Sequence, residues 1–353
     1  MKILHIIDTL GRGGAETLLV NVVNSLNKDF DNILLYFSAP HDLKAEIAGT
    51  KVICLDIPFS VKNIFRLKKE VQKVIQENRV LVVHSHSYWS NFIARLAYTE
   101  NVRFVQSYHN AIYDTMWDKK STKLLALLDK ITYKKEIKLV AVSAYVKSIL
   151  VEKLKYKNIE VLKNFSNVQQ ISVKERPPYK KGELLKVISV GNIKKEKNYE
   201  LLIEAFDKEL KHASVELDVF GGGQELEKFR EKVKAQAIPN LHFRGQTHQV
   251  SEELLKYDLF CMTSFSEACP LSPLEAMRLN MPILLSDIPA FKEVTEHSVM
   301  FFESGNANDF IEKIQQIIKG KQDISVDKEI YGRVLSNYSK EDYLAKLKSI
   351  YEN

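Results

Sequence analysis

Short apolar runs rich in β-branched residues alternate along the chain with longer stretches of helical periodicity. Residues 2–8 form an Ile-rich run and 9–14 read as a turn. Residues 15–26 then place Leu18, Leu19, Val22, Val23 and Leu26 on one helix face. The spacing predicts strand, glycine loop, helix. Further strand-like runs follow at 33–37, 52–55, 80–84, 103–107 and 139–142, with helical stretches at 61–77 and 89–99. Such alternation predicts an α/β fold built on a doubly wound parallel sheet, because parallel strands need a crossover helix to reach their neighbours.

After residues 159–162 the pattern stops. Residues 172–183 are charged, contain Pro177-Pro178 and lack an apolar period, as an exposed linker does. A second series then begins, with strands at 185–190, 216–220, 241–244, 259–263 and 282–286 and helices at 199–210, 224–236, 250–256 and 273–279. Two doubly wound, Rossmann-like domains are therefore expected, at 1–170 and 185–335, with a linker at 171–184. Residues 336–353 are expected to form a terminal helix packing back on the first domain. A length of 353 residues agrees, since one core seldom grows beyond roughly 250–300 residues. Such sheets bind ligands at the carboxyl ends of their strands, so the two domains are expected to face each other across a cleft.

Composition adds mainly exclusions. With 45% hydrophobic and 27% charged residues the chain is an ordinary globular protein. Cys54, Cys261 and Cys269 stand far apart without C-x-x-C spacing, which indicates neither a disulfide framework nor a zinc cluster. No apolar run approaches the ~18 residues a membrane span needs, and the opening run is too short for a signal peptide. A cytoplasmic location is expected. The net charge is +6, and residues 118–138 bunch Lys119, Lys120, Lys123, Lys130, Lys134, Lys135 and Lys138. This run reads either as a solvated helix face or as a surface meeting anionic lipid at the inner face of the plasma membrane. No nucleic-acid motif accompanies the charge.

Candidate chemistry gathers where strands end. Gly11-Arg12-Gly13-Gly14-Ala15-Glu16 joins the first strand to the first helix, where glycines let backbone amides approach an anion. It fails the dinucleotide fingerprint, because Glu16 holds the place of the third glycine and no acid closes the second strand. Gly221-Gly222-Gly223 repeats the arrangement in the second half, and two such loops suit a diphosphate-bearing ligand. Gly191-Asn192-Ile193-Lys194-Lys195-Glu196-Lys197 puts a basic loop after a buried strand, with Lys194 and Lys195 read as solvated. Ser266-Glu267-Ala268-Cys269-Pro270-Leu271-Ser272-Pro273-Leu274-Glu275 carries two glutamates in different settings. Glu275 completes an S-x-x-E capping box with Ser272, whereas nothing structural accounts for Glu267 in an apolar loop. His84, His86 and His109 also lie at strand ends, without the spacing of a metal site. The Asp-x-Asp at Asp29-Phe30-Asp31 precedes a strand and reads as a turn. No metal and no resident cofactor are expected.

Taken together, several stretches resemble glycosyltransferase family 4, the retaining, nucleotide-sugar-dependent enzymes of the GT-B fold, over essentially the whole chain. They are Gly13-Gly14-Ala15-Glu16, Val83-His84-Ser85-His86, Tyr108-His109-Asn110, Val142-Ser143, Val190-Gly191 with Glu196-Lys197, Phe220 through Gly223, Phe243-Arg244-Gly245 and the pair Glu267 and Glu275. The resemblance implies that Lys197 neutralises the donor diphosphate, Glu267 lies by the donor sugar and His109 bonds a sugar hydroxyl. It implies that Glu275 binds the ribose, the backbone of Cys269, Pro270 and Leu271 lines the sugar and phosphate, and Gln246 holds the base. Asn192, Gly13, Gly14, Gly221 and Gly222 would complete the donor site, with Glu16, His84 and His86 on the acceptor side. Two departures are Asn192 where arginine is common and Asn164-Phe165-Ser166-Asn167 where Asn-Gly is usual.

The implied activity is metal-independent transfer of a hexosyl or N-acetylhexosaminyl group, with retention, from a UDP-sugar rather than a GDP-sugar. The acceptor would be a glycan or lipid-linked saccharide in capsule, O-antigen or lipopolysaccharide synthesis. A nucleotide-sugar 2-epimerase of the same architecture and a catalytically silent nucleotide-sugar-binding subunit are the alternatives.

Overall fold

The computed structural model describes residues 1–115, 119–165, 179–247 and 249–352. The chain divides into two units, Met1–Asn167 with Tyr338–Asn353, and Val168–Asn337. The first runs β1 (Lys2–Ile7), α1 (Gly14–Leu26), β2 (Asp31–Tyr36), β3 (Lys51–Cys54), α2 (Ile64–Glu77), β4 (Val82–His86), α3 (Tyr88–Leu96), β5 (Arg103–Tyr108), α4 (Ile112–Thr115), α5 (Lys120–Thr132), β6 (Lys138–Ala141), α6 (Ala144–Ile149) and β7 (Ile159–Val161). The second runs β8 (Leu185–Val190), α7 (Tyr199–Ala205), β9 (Val215–Phe220), α8 (Leu226–Ala235), β10 (Leu241–Gly245), α9 (Val250–Leu254), β11 (Leu259–Met262), α10 (Leu271–Arg278), β12 (Ile283–Ser286), α11 (Pro289–Thr295), β13 (Met300–Phe302), α12 (Ala307–Ile318) and α13 (Lys328–Ser336). The chain then returns to the first unit as α14 (Lys340–Glu352).

Both sheets are parallel, in the orders β3-β2-β1-β4-β5-β6-β7 and β10-β9-β8-β11-β12-β13. In the first, Leu4 lies between Ile33 and Val83 across the two ladders flanking β1. The order reverses between β1 and β4 and again between β8 and β11. At such switch points the outgoing loops diverge and leave a crevice at the carboxyl edge.

Buried on both faces, the strands read as near-continuous apolar runs. In the first unit Ile3, Val82, Val105 and Val140 pack against Leu18, Val22 and Leu26 of α1 and against Tyr343, Leu347, Ile350 and Tyr351 of α14. Each such side chain contributes about 1.5–3 kcal/mol by leaving water. On the opposite face α3 packs between α2 and α5. In the second unit Val187, Leu217, Leu241 and Cys261 meet Leu202, Phe206, Phe310 and Ile314.

At β4 the strand departs from the sequence pattern because its second half is buried and polar. The apolar run predicts a strand at 80–84, but β4 is Val82–His86, and its polar second half finds partners inside the fold. Beyond Ser286 the pattern named nothing before the terminal helix, and the structure adds α11, β13, α12 and α13. Most of the expected linker at 171–184 lies outside the described residues, as do Ser166, Asn167 and Asp118. Among the described residues no helix is long and apolar enough to cross a membrane.

One polar cluster fixes the orientation of α5. Arg95 of α3 pairs with Asp129 of α5, both buried, and also donates to Thr132 Oγ1 at 2.9 Å and Gln106 Oε1 at 3.1 Å. The Tyr113 hydroxyl donates to the second Asp129 oxygen at 2.6 Å. Burial raises the Asp129 carboxyl, and the guanidinium opposes that shift. Removing one member of such a pair strands its partner in a dry site. Asp129→Ala should therefore cost about 3–5 kcal/mol in urea unfolding, while replacing both Arg95 and Asp129 by leucine should cost less than either single change. A single-variant loss below about 1 kcal/mol would show that the pair does not hold α5.

Candidate functional site

The loops after β8 and β11 are tied together at the second switch point. Thr263 Oγ1 donates to the carbonyls of Lys197 at 2.9 Å and Asn198 at 3.1 Å, and the Phe265 amide donates to the Glu196 carbonyl at 2.8 Å. Asn198 reverses the chain with φ of 52°, a left-handed turn that asparagine tolerates. These bonds bring Lys197 Nζ to 2.5 Å from Glu267 Oε1, and Ser264 Oγ donates to the same oxygen at 2.8 Å. The two charged side chains are only 20% and 11% exposed. Lys194 and Lys195 are exposed, as the sequence reading had them.

The triple glycine has a packing role that the sequence did not reveal. A Cβ on Gly221 would fall 1.9 Å from the Gly191 carbonyl oxygen, and one on Gly223 would fall 2.3 Å from that of Ile193. The Gly191 amide donates to Phe220 at 2.9 Å, the Ile193 amide to Gly222 at 2.8 Å and the Gly221 amide to Gly245 at 2.8 Å. Side chains would hold these three loops apart. Gln246 lies against the same floor, since a Cβ on Gly222 would come 2.5 Å from its Nε2. Asn192 is half-buried in the adjoining loop.

At α10 the capping-box expectation fails. The helix begins at Leu271, its cap position is Pro270, and no side chain caps it. Ser272 is already inside the helix, so Glu275 stands one turn in and not at the capping position. Burial pushes the Glu275 carboxyl up to about 7. Among the described residues it has no hydrogen bond or ion pair. Buried Ala268, Cys269 and Pro270 lead into this helix end, whose first amides favour an anion.

In the first unit Gly13 precedes α1 without a side-chain cap, and Glu16 folds over it. A Cβ on Gly14 would meet nothing within 4 Å. Asp8, directly after β1, accepts from the Ser90 amide at 2.8 Å and from the Ser90 hydroxyl. Ser87, which should cap α3, has φ of 72° and makes no cap bond. Asp8 does that work from another strand, and burial raises its carboxyl to about 6. Sequence reading missed Asp8; its signal was an acid closing an apolar strand.

The histidines form a buried chain. His84 bonds the Tyr351 hydroxyl at 2.6 Å and Ser107 Oγ at 2.8 Å, and His86 Nδ1 lies 3.1 Å from His109 Nε2. Burial drives His84 and His86 well below the ordinary range and His109 down to about 4, so these rings are neutral near pH 7. Among the described residues the buried Nδ1 of His109 has no partner. Lys197 and Glu267 thus meet in the second unit, while His109, His84, His86, Glu16, Gly13 and Gly14 belong to the first.

Ring nitrogens of His5, His84 and His86 come within 4.8 Å of one another, a grouping that includes His5 and omits His109. To ligate, His84 would surrender one of its two bonds. The Asp-x-Asp lies at the amino edge of the first sheet, with Asp31 paired to Lys2 at 3.1 Å and Asp29 to Lys348 at 2.8 Å.

Residues 12–170 match the model of Glycosyltransferase Family 4, and residues 172–342 match that of Glycosyl transferases group 1. The chain belongs to glycosyltransferase family 4. It is a glycosyltransferase of the GT-B fold. The O-antigen biosynthesis glycosyltransferase WbnH of Escherichia coli is 27% identical over 342 residues, covering 96% of this chain and 95% of the relative. An uncharacterised glycosyltransferase of Haemophilus influenzae is 25% identical over 346 residues, covering 94% and 92%. Among solved structures, a Rickettsia africae glycosyltransferase superposes with a TM-score of 0.77 at 19% identity, covering 99% of this chain and 97% of its own. Anabaena HepE with UDP-glucose superposes with a TM-score of 0.79 at 14% identity, covering 99% of each chain.

Two expectations follow for this glycosyltransferase. Gly221→Ala should cost about 3 kcal/mol by forcing backbone apart, whereas Gly14→Ala should leave the denaturation midpoint unchanged or raise it slightly. Equal losses would refute the packing role. The folded chain keeps a proton on Glu275 that an unfolded chain, at the ordinary value of 4.5, gives up earlier. Stability should then fall as pH rises from about 4.5 to about 7, by roughly 1–3 kcal/mol, and Glu275→Gln should flatten that slope. An identical slope in the variant would place the titration elsewhere.

Proposed function

We propose that this enzyme is a retaining transferase that moves a hexosyl or N-acetylhexosaminyl group from a UDP-sugar to a glycan or lipid-linked saccharide. It would work in bacterial surface polysaccharide synthesis, at the inner face of the plasma membrane. Relatives named as O-antigen glycosyltransferases and the UDP-glucose complex of Anabaena HepE support the acceptor class and the donor. The observation that carries the chemistry is the Lys197–Glu267 pair at the β8/β11 switch point.

In this reading Lys197 turns from Glu267 to the donor diphosphate, and the bond from the anomeric carbon to the phosphate oxygen breaks. The leaving phosphate collects the acceptor's proton while the acceptor oxygen attacks from the same face. Lys197 and the open amides of α10 stabilise the charge that builds on the diphosphate, so the step needs neither a metal nor a carboxylate nucleophile. Glu267, released from the lysine, holds a sugar hydroxyl. Glu275 binds the ribose, for which a half-buried carboxyl without a partner is suited. His109, a neutral ring whose buried Nδ1 has no partner among the described residues, is assigned to a sugar hydroxyl, and Gly14 to phosphate. Glu16, His84 and His86 are assigned to the acceptor side, where His84 acts through its bonded neighbours.

Two measurements test this. Lys197→Ala should lower kcat by about 10²–10³-fold, the size found when one oxyanion donor is removed, and the neighbouring Lys195→Ala should change it by less than about threefold. Equal effects would end the assignment. On a panel of nucleotide sugars the enzyme should release UDP and form a new glycoside of unchanged anomeric configuration. An epimeric nucleotide sugar would favour epimerisation, and binding without turnover a silent subunit.

A further inference from the structure

The lysines of residues 118–138 acquire a second property in the fold. Helix α5 is turned with Thr122, Ala126 and Asp129 inward, leaving Leu124 (57%), Leu127 (53%) and Ile131 (67%) exposed at spacings of three and four residues. They form one apolar stripe, flanked by Lys120, Lys123 and Lys130. Across α3, helix α2 and the turn before it repeat the combination. Val61 is 81% and Phe65 77% exposed, beside exposed Lys62, Arg66 and Lys69. Half of the large hydrophobic residues exposed in the described chain, five of ten, sit on these two elements.

Among the described residues, none of Lys62, Arg66, Lys69, Lys120, Lys123 and Lys130 enters an ion pair. Opposing charge is sparse: Glu70 is half-buried, Glu77 stands near Lys73 at the far end of α2, and Asp129 is spent on Arg95. Contiguous apolar side chains rimmed by cations are costly to leave in water and mark a docking surface. A second copy of the chain would bring like charges together. An anionic bilayer satisfies both halves of the pattern, taking apolar side chains into its headgroup and acyl boundary and lysines into its surface potential.

We propose that the outer face of α2 and α5 docks this enzyme on anionic lipid by inserting Val61, Phe65, Leu124, Leu127 and Ile131. This rests on the proposed membrane-side acceptor, yet it assigns an insertion surface that charge alone does not specify.

Vesicle flotation separates the possibilities. The purified enzyme should float with phosphatidylglycerol-containing vesicles at least about tenfold more than with phosphatidylcholine alone, and less as salt shortens the screening length. Joint replacement Leu124→Ser, Leu127→Ser and Ile131→Ser should cut flotation about tenfold or more, as should Val61→Ser with Phe65→Ser. Each variant should keep the wild-type urea midpoint, since surface changes cost little. A second set, Lys120→Ala, Lys123→Ala and Lys130→Ala, removes charge without touching apolar contacts and should weaken flotation comparably. Unchanged flotation of the serine variants at an intact midpoint overturns insertion. A lipid-free dimer abolished by the serine changes, with flotation unaltered, overturns it in favour of a second copy. A chain that is thermally stabilised by UDP but does not float loses the docking surface and keeps the donor assignment. One that floats without a UDP shift does the reverse.

Discussion

Backbone meets backbone at the carboxyl edge of the second sheet, and the arrangement of the candidate donor site depends on that contact. The Gly191, Ile193 and Gly221 amides donate to Phe220, Gly222 and Gly245 across three successive loops. This continues the sheet's hydrogen bonding past its strands and turns what would be mobile loops into a floor. Only glycine allows so close an approach. Lys197 leaves this floor through a single turn whose carbonyls are held by Thr263. Its backbone is therefore fixed, while its ammonium is held by Glu267 Oε1 at 2.5 Å, from which it must turn in the proposed transfer.

The first unit solves a similar problem with buried polar groups. Asp8 caps α3 from β1, His84 bridges Ser107 to Tyr351 of the last helix, and Arg95 with Asp129 locks α5. The last of these works against simple hydrophobic ordering. Turning α5 over would bury Leu124, Leu127 and Ile131 but would carry the Asp129 carboxylate into water and abandon Arg95 in a dry pocket. A stranded buried charge costs several kcal/mol, comparable to the gain from covering three side chains that are already about half shielded. The buried pair can hold an apolar face outward only because those two quantities are close.

Much of this architecture was legible in the chain itself. Short, near-continuous apolar runs alternating with helical periods mark both parallel sheets, and the motifs at strand ends mark the loops of the switch points. Boundaries slipped where polar residues are buried: Ser85 and His86 continue β4 because Asn91 and His109 await them, which no local pattern can announce. Asp8 was missed for the same reason, since its partners lie 82 residues away. The triple glycine was visible, but its cause was not, because a close approach to Gly191 is a tertiary fact. The inside-out turn of α5 was hidden by its sequence, in which leucines on one face suggest a core and lysines a solvated surface.

The two glutamates of the loop and helix after β11 exchange their standing once the fold is known. From the sequence, Glu275 had a structural explanation as half of a capping box and Glu267 had none. In the structure the helix starts one residue before Ser272, and the box does not form. Glu275 is left as a half-buried carboxyl that burial pushes up to about 7. Glu267 gains an ion pair with Lys197 and a bond from Ser264. Packing and capping now explain neither fully: one carboxyl is held without a partner among the described residues, at a cost in stability, and the other holds a lysine on a loop of the switch point. An acid that is costly to bury and a largely buried charged pair on the loop leading into its helix both favour a binding role over a purely structural one. In the proposed donor site a diphosphate-bearing sugar would supply hydroxyls for the first and negative charge for the second.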